Sequence, residues 1–157
     1  MAKSEDKTNV MRLLDRAALT YIPHYYDPSE TQGTAVAALL GEEEERVFKT
    51  LVTESGDRQH FVFVIPVAET LDLKKAARAA GVKSIAMIKQ KELLPLTGYV
   101  HGGCSPVGMK KPFPTFIEES ALLYERIYVS AGKPGAQVEL SPDALAAYIG
   151  GAFAPLV

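Results

Sequence analysis

Two β-rich runs, Val47–Thr53 and His60–Ile65, are separated by Glu54-Ser-Gly-Asp57 and two more polar residues, a pattern that predicts a hairpin in the middle of the chain. The flanking segments have to build on it. Downstream, Asp72 can cap a helix through Ala80 that Gly81 ends, and Val82–Ile88 then returns as a strand to complete a β-α-β unit. Upstream, Thr8 or Asn9 opens a helix to Ala18 on the spacing of Val10, Leu13, Leu14 and Ala17. Tyr21–Tyr26 reads as a strand ended by Asp27-Pro28, and Thr34–Leu40 as an alanine-rich helix closed by Gly41, with Glu42–Glu45 solvated beyond it. Lys89–Leu94 is a short helix. Thr115–Ile117, Arg126–Ser130 and Gln137–Leu140 are further strands, and Ser141-Pro142-Asp143 starts a last helix that runs to about Ile149. The expected fold class is α/β (mixed α+β): a curved six- to seven-stranded mixed sheet or barrel with surrounding helices, in one domain over residues 1–157.

Composition narrows the function classes. A chain of 157 residues that is 47% hydrophobic and 23% charged can bury a core without staples. The polar stretch through Asn9 lacks a secretory apolar region, and the apolar tail from Tyr148 is too short to span a bilayer, so a cytoplasmic protein without a membrane partner is expected. One cysteine and three scattered histidines give no metal-ligand spacing, and neither a metal nor a cofactor is expected. The net charge of -2 hides an asymmetry: residues 46–111 carry 11 basic and 5 acidic side chains, whereas both flanking regions are acidic. Such a basic middle either faces a polyanion or is spread over solvated faces.

Within it, Gly98–Lys111 contains four glycines, Pro106 and the pair Lys110-Lys111. Glycines let backbone amides approach a ligand and the lysines add positive charge, although a tight turn between strands has the same composition. Three motif readings fail here. Gly103–Gly108 has the phosphate-loop spacing, but Met109 stands where lysine is needed; Gly103-Cys-Ser105-Pro-Val107 lacks the last glycine of a nucleophile elbow. Cys104 with His101 would need an oriented base and an electropositive setting to act as a nucleophile. Lys49 is the other oddity. In Val47–Val52 the alternation does not settle whether it points to solvent or into a pocket, where its ammonium would stabilise an oxyanion or a thiolate. His24, among three tyrosines, reads as a packed or hydrogen-bonded strand residue.

Taken in order, Val47–Leu51, Leu71–Ala76, Thr97–Tyr99, Gly102–Gly108 with Lys110-Lys111, Ile127–Lys133 and Val138–Leu140 resemble the YbaK/EbsC family, also called the YbaK and prolyl-tRNA-synthetase-associated domain, from about Val10 to Ala154. The resemblance implies a barrel-like sheet and an editing enzyme whose substrate is an aminoacyl-tRNA, in the most similar branch Cys-tRNA(Pro), with prolyl-tRNA synthetase as a further partner. It implies a functional lysine at Lys49 with Thr50 beside it, pocket residues at Tyr26 and Ser130, and Gly103 and Pro106 in the loop framing the scissile ester. The amides of Gly102, Gly103, Cys104 and Ser105, with Lys110 and Lys111 nearby, complete the expected site. Gln137 departs from the aspartate often found at its position. In that branch the substrate's own thiol attacks its ester, so no protein nucleophile is needed. Water-driven release of alanine, or a non-catalytic tRNA- or synthetase-binding module, are the competing readings.

Overall fold

The computed structural model describes residues 7–157; of the domain expected over 1–157, the first six residues lie outside it. Helix α1 (Asn9–Arg16) starts where Thr8 Oγ1 accepts the Met11 N–H (3.2 Å), and its spacing buries Val10, Met11 and Leu14. Strand β1 (Ile22–Tyr25) and helix α2 (Gly33–Leu40) follow, the helix closed by left-handed Gly41.

The hairpin is β2 (Phe48–Ser55) and β3 (His60–Pro66), paired from Phe48↔Pro66 to Glu54↔His60. β3 is apolar without alternation because both of its faces are covered. Val64 joins one core, while Phe61, Phe63 and Ile65 join another beneath helix α3 (Leu73–Ala80). Asp72 caps α3 by accepting the Lys74 and Lys75 amides, and Gly81 ends it. Strand β4 (Ile85–Met87) then pairs antiparallel with β2, so it runs in the direction of β3 and completes the expected β-α-β unit across an intervening strand.

After a 3-10 turn at Gln90–Glu92 come α4 (Leu93–Thr97), β5 (Thr115–Glu118), β6 (Ile127–Ser130), β7 (Ala136–Leu140), α5 (Pro142–Ile149) and β8 (Ala152–Ala154). The architecture is the expected mixed α/β, with the strands divided between two sheets: β4-β2-β3-β5-β8 and the antiparallel β1-β7-β6. The main core lies between them, built from Phe48, Val64 and Ile117 on one side and Ile127, Val129, Val138 and Leu140 on the other, and closed by α1 and α5. An isolated parallel bridge, Val47↔Tyr128, joins the sheets at one corner, where α2 packs Ala37 against Val47, Val67 and Tyr128.

The apolar tail continues the sheet: β8 adds to β5, Leu156 is fully buried, and its N–H donates to Glu118 Oε1 (3.0 Å). One local expectation needs correction. Glu42 is not merely solvated, because it accepts hydrogen bonds from Arg46 Nη1 (2.8 Å) and Tyr128 Oη (3.1 Å). His24 is hydrogen-bonded as its setting implied, with Nε2 2.9 Å from Glu139 Oε1. Among the described residues, no helix is long and apolar enough to cross a membrane, and no group of three or more His, Cys, Asp or Glu could hold a metal ion.

Candidate active site

β4 pairs with β2 only over Thr53–Ser55, so the first half of β2 has a strand partner on one side alone. A cavity of about 500 Å³ opens there, where the two sheets part. Its size falls within the roughly 300–1,000 Å³ usual for small-molecule sites. β2 contributes Lys49 and Thr50, the chain leaving β1 contributes Tyr26, and the glycine loop contributes His101, Gly102 and Cys104. Ser130 at the end of β6 and Gln137 on β7 face each other across the strand pair and close the far wall.

Lys49 is half-buried, and none of the ion pairs among the described residues involves it. Burial pulls its pKa below the usual lysine value, and the nearby Glu69 carboxylate offsets this only in part. The result is a cation with little compensation at the edge of a cleft, suited to meet negative charge that develops on a bound molecule.

Two buried polar atoms in this wall lack a protein partner: Thr50 Oγ1 and Gln137 Oε1. Buried polar groups are ordinarily satisfied, so orphans on the lining of one cavity are what a ligand's donors would complete. The Ser130 hydroxyl accepts the Gly132 N–H (3.2 Å), which holds the turn after β6.

The glycine loop is fitted by contact on two sides. Gly102 has a left-handed φ of 87°, and a Cβ there would stand 2.6 Å from Thr31 Cγ2. A Cβ on Gly103 would stand 2.7 Å from Pro134 Cδ and 2.8 Å from Lys133 Cα. The close approach is therefore to the neighbouring loops 27–32 and 130–135, which interlock with this one. Gly103's N–H is committed to Val100 O (3.0 Å), so it does not join an anion cradle as expected. The amides of Gly102 and Cys104 have no acceptor among the described residues, and both residues line the cavity.

Of the other expected residues, Ser105 and Pro106 are buried behind the wall, with Ser105 Oγ accepting the Val107 N–H (3.2 Å). Lys111 is exposed outside the cavity, and Lys110 lines a separate hollow beside α1. Burial pushes the Cys104 thiol up to about 12, so it stays protonated at neutral pH and is a poor nucleophile. Reading the sequence missed Thr31, Gln32, Gly33 and Thr34, which line the cavity from where loop 27–32 meets the glycine loop into the start of α2. The one local signal was Gly33 at the start of α2: a Cβ there would meet Val67 Cβ at 2.7 Å, and only packing across the fold reveals that contact.

Comparison with known proteins identifies the family. A family model described as an aminoacyl-tRNA editing domain matches residues 28–148. An Enterococcus faecalis protein named as a candidate Cys-tRNA(Pro)/Cys-tRNA(Cys) deacylase, EbsC, is 46% identical over 156 residues, covering 98% of this chain and 95% of that one. A solved structure of a candidate trans-editing enzyme for prolyl-tRNA synthetase has a TM-score of 0.81 at 26% identity, covering 99% of this chain and 98% of that one. Another, of the hypothetical protein APE2540, has a TM-score of 0.87 at 25% identity over 95% and 99% of the two chains. With a family model spanning most of its length and a relative this similar end to end, the chain belongs to the aminoacyl-tRNA editing domain family, the YbaK/EbsC group that its motifs resemble.

Proposed function

We propose that this chain is a trans-editing deacylase that releases cysteine from mischarged tRNA, Cys-tRNA(Pro) and also Cys-tRNA(Cys), by letting the cysteinyl thiol attack its own ester. The observation that carries this reading is the pairing of a desolvated, weakly compensated Lys49 with a cavity whose only thiol, Cys104, is held protonated. The cavity has a site for negative charge and no activated protein nucleophile.

The substrate thiol has an ordinary pKa of about 8.5, and an adjacent ammonium enlarges its thiolate fraction at neutral pH. The thiolate sulfur forms a bond to the ester carbonyl carbon, and the carbonyl oxygen becomes an oxyanion that Lys49 and the amides of Gly102 and Cys104 can stabilise. The intermediate collapses by breaking the bond to the ribose oxygen. That oxygen takes up the proton given up by the thiol, and a strained cyclic thioester leaves to be hydrolysed by water. The protein's share is to hold sulfur and carbonyl together and to exclude other geometries. Thr50 Oγ1 and Gln137 Oε1 offer acceptors for the substrate's α-ammonium.

The test is release from cysteinyl-tRNA before and after alkylation of the cysteinyl thiol. Release should stop on alkylation; continued release would show attack by water, and binding without any release would leave a non-catalytic module. Cys104→Ala is expected to keep most of the wild-type rate, within about threefold, in the same assay, because a protonated thiol contributes only shape. Loss of activity in that variant with folding intact would move the nucleophile onto the protein. A chain of net charge -2 binds free tRNA weakly and salt-sensitively, so selection of the tRNA is shared with prolyl-tRNA synthetase in a ternary complex in the cytoplasm.

A further inference from the structure

The chain segments that supply the cavity lining differ sharply in charge. One wall comes from the chain around α4 and the glycine loop; between residues 86 and 114 the sequence holds four lysines, Lys89, Lys91, Lys110 and Lys111, and the single carboxylate Glu92. Glu92 is turned back to cap its own 3-10 turn, accepting the Lys89 N–H (3.1 Å). All four lysines are exposed, and none takes part in the ion pairs among the described residues. The two segments are stitched together: the Lys110 N–H donates to Thr97 O (2.9 Å), and the Gly98 Cβ position lies 3.9 Å from Lys110 Cβ. Leu93 and His101 bring the same two segments to the cavity lining.

A second wall begins at Tyr26, meets the glycine loop at Thr31 and continues into α2. Residues 27–45 hold six carboxylates and no lysine or arginine; Glu42 is paired with Arg46 (2.8 Å), and none of the other five takes part in the ion pairs among the described residues. A polyanion emerging from the cavity is therefore attracted to one side and repelled from the other.

Beside the lysines stand exposed apolar side chains, Leu94 (54% exposed) and Val100 (47%), with the exposed His101 ring at the opening. A cationic track next to ring and apolar surface is the chemistry that receives single-stranded nucleic acid, its phosphates on the charges and its bases on the flat faces. The other lysine-rich element, α3, does not share this position: it covers the Phe63 and Ile65 side of the five-stranded sheet, and its Lys75 Nζ is engaged by Val157 O.

We infer that the single-stranded 3′ end of the RNA leaves the cavity over the glycine-loop wall, its phosphates on Lys110-Lys111 and Lys89/Lys91 and its terminal bases against His101, Leu94 and Val100. This rests on the reading of the cavity as an aminoacyl-ester site. The strand direction and the residues it crosses go beyond that reading.

The experiment has two arms that fail separately. In the first, an uncharged RNA hairpin with a short unpaired 3′ strand is titrated by fluorescence anisotropy at several salt concentrations against the full chain. The same titration is run on Lys110→Gln/Lys111→Gln, Lys89→Gln/Lys91→Gln and, for comparison, Lys74→Gln/Arg78→Gln. Each of the first two pairs should weaken binding about 5- to 10-fold and flatten the slope of log affinity against log salt by about 1.4, since each single-strand phosphate contact accounts for about 0.7. The α3 pair should bind as the wild type does.

In the second arm, the two rim pairs should raise KM for cysteinyl-tRNA with kcat nearly unchanged, and should release cysteine from a cysteinyl-adenosine ester, which has no phosphates, as fast as the wild type. Unchanged salt slopes in the rim variants, or a larger loss in the α3 pair, would overturn the proposal. If the wild type released nothing from either ester, the deacylase reading would fall, while the RNA titration would still decide the rim.

Discussion

Lys49→Ala is expected to lower kcat for cysteinyl-tRNA release by about 10²- to 10³-fold, the range seen when one preorganised oxyanion donor is removed from an active site. KM should change far less, because the ammonium acts on charge that appears only as the thiolate attacks. Folding should not suffer. Burial lowers the pKa of this lysine, so the folded chain holds the proton more weakly than the unfolded one, and at neutral pH the charge opposes folding. Lys49→Met should therefore melt at the wild-type temperature or above it while being inactive. The pH profile carries the same sign: activity rises as the substrate thiol ionises towards about 8.5 and falls again, earlier than the ordinary lysine value of about 10.4, as Lys49 loses its proton. A Lys49 variant with near-normal kcat would remove the cation from the mechanism.

Gly103→Ala is expected to be the most damaging change in the glycine loop. Its Cβ would lie 2.7 Å from Pro134 Cδ and 2.8 and 2.9 Å from the backbone Cα and C of Lys133. Backbone cannot rotate aside as a flexible side chain can, so the two loops must part. The overpacking should cost about 1–3 kcal/mol, seen as a Tm several degrees lower. The displacement moves the Gly102 and Cys104 amides, and a shift of about 1 Å at a positioning group is enough to lower kcat by about 10²-fold. Wild-type melting and turnover in this variant would mean that the loops are not interlocked as described.

Much of the fold was legible because local chemistry and tertiary need agree. Thr8, Asp72 and Ser141 cap the helices where their side chains predicted, and Gly41 and Gly81 end helices in the left-handed conformation that suits glycine. The hairpin was legible from its two β-rich runs and the polar turn between them. The division into two sheets was not legible, since Val47↔Tyr128 pairs residues 81 positions apart and carries no local signature. Nor was β8, a short apolar piece whose strand form depends on β5 lying beside it.

At the site, the residues themselves identified a lysine in a strand and a glycine loop without a workable nucleophile, and the family resemblance added Ser130 and Tyr26. The sequence left the direction of Lys49 open, because a strand residue's face is decided by which neighbours cover it. Tertiary structure put Lys49 on the lining of the cavity that opens beside the first half of β2. It committed the Gly103 amide to Val100, and it brought Thr31–Thr34 to the cavity lining beside the glycine loop. Residue identity determines which groups can carry charge, donate or bend, whereas exposure, pKa and mutual distance arise only when segments far apart in the chain displace water from one another.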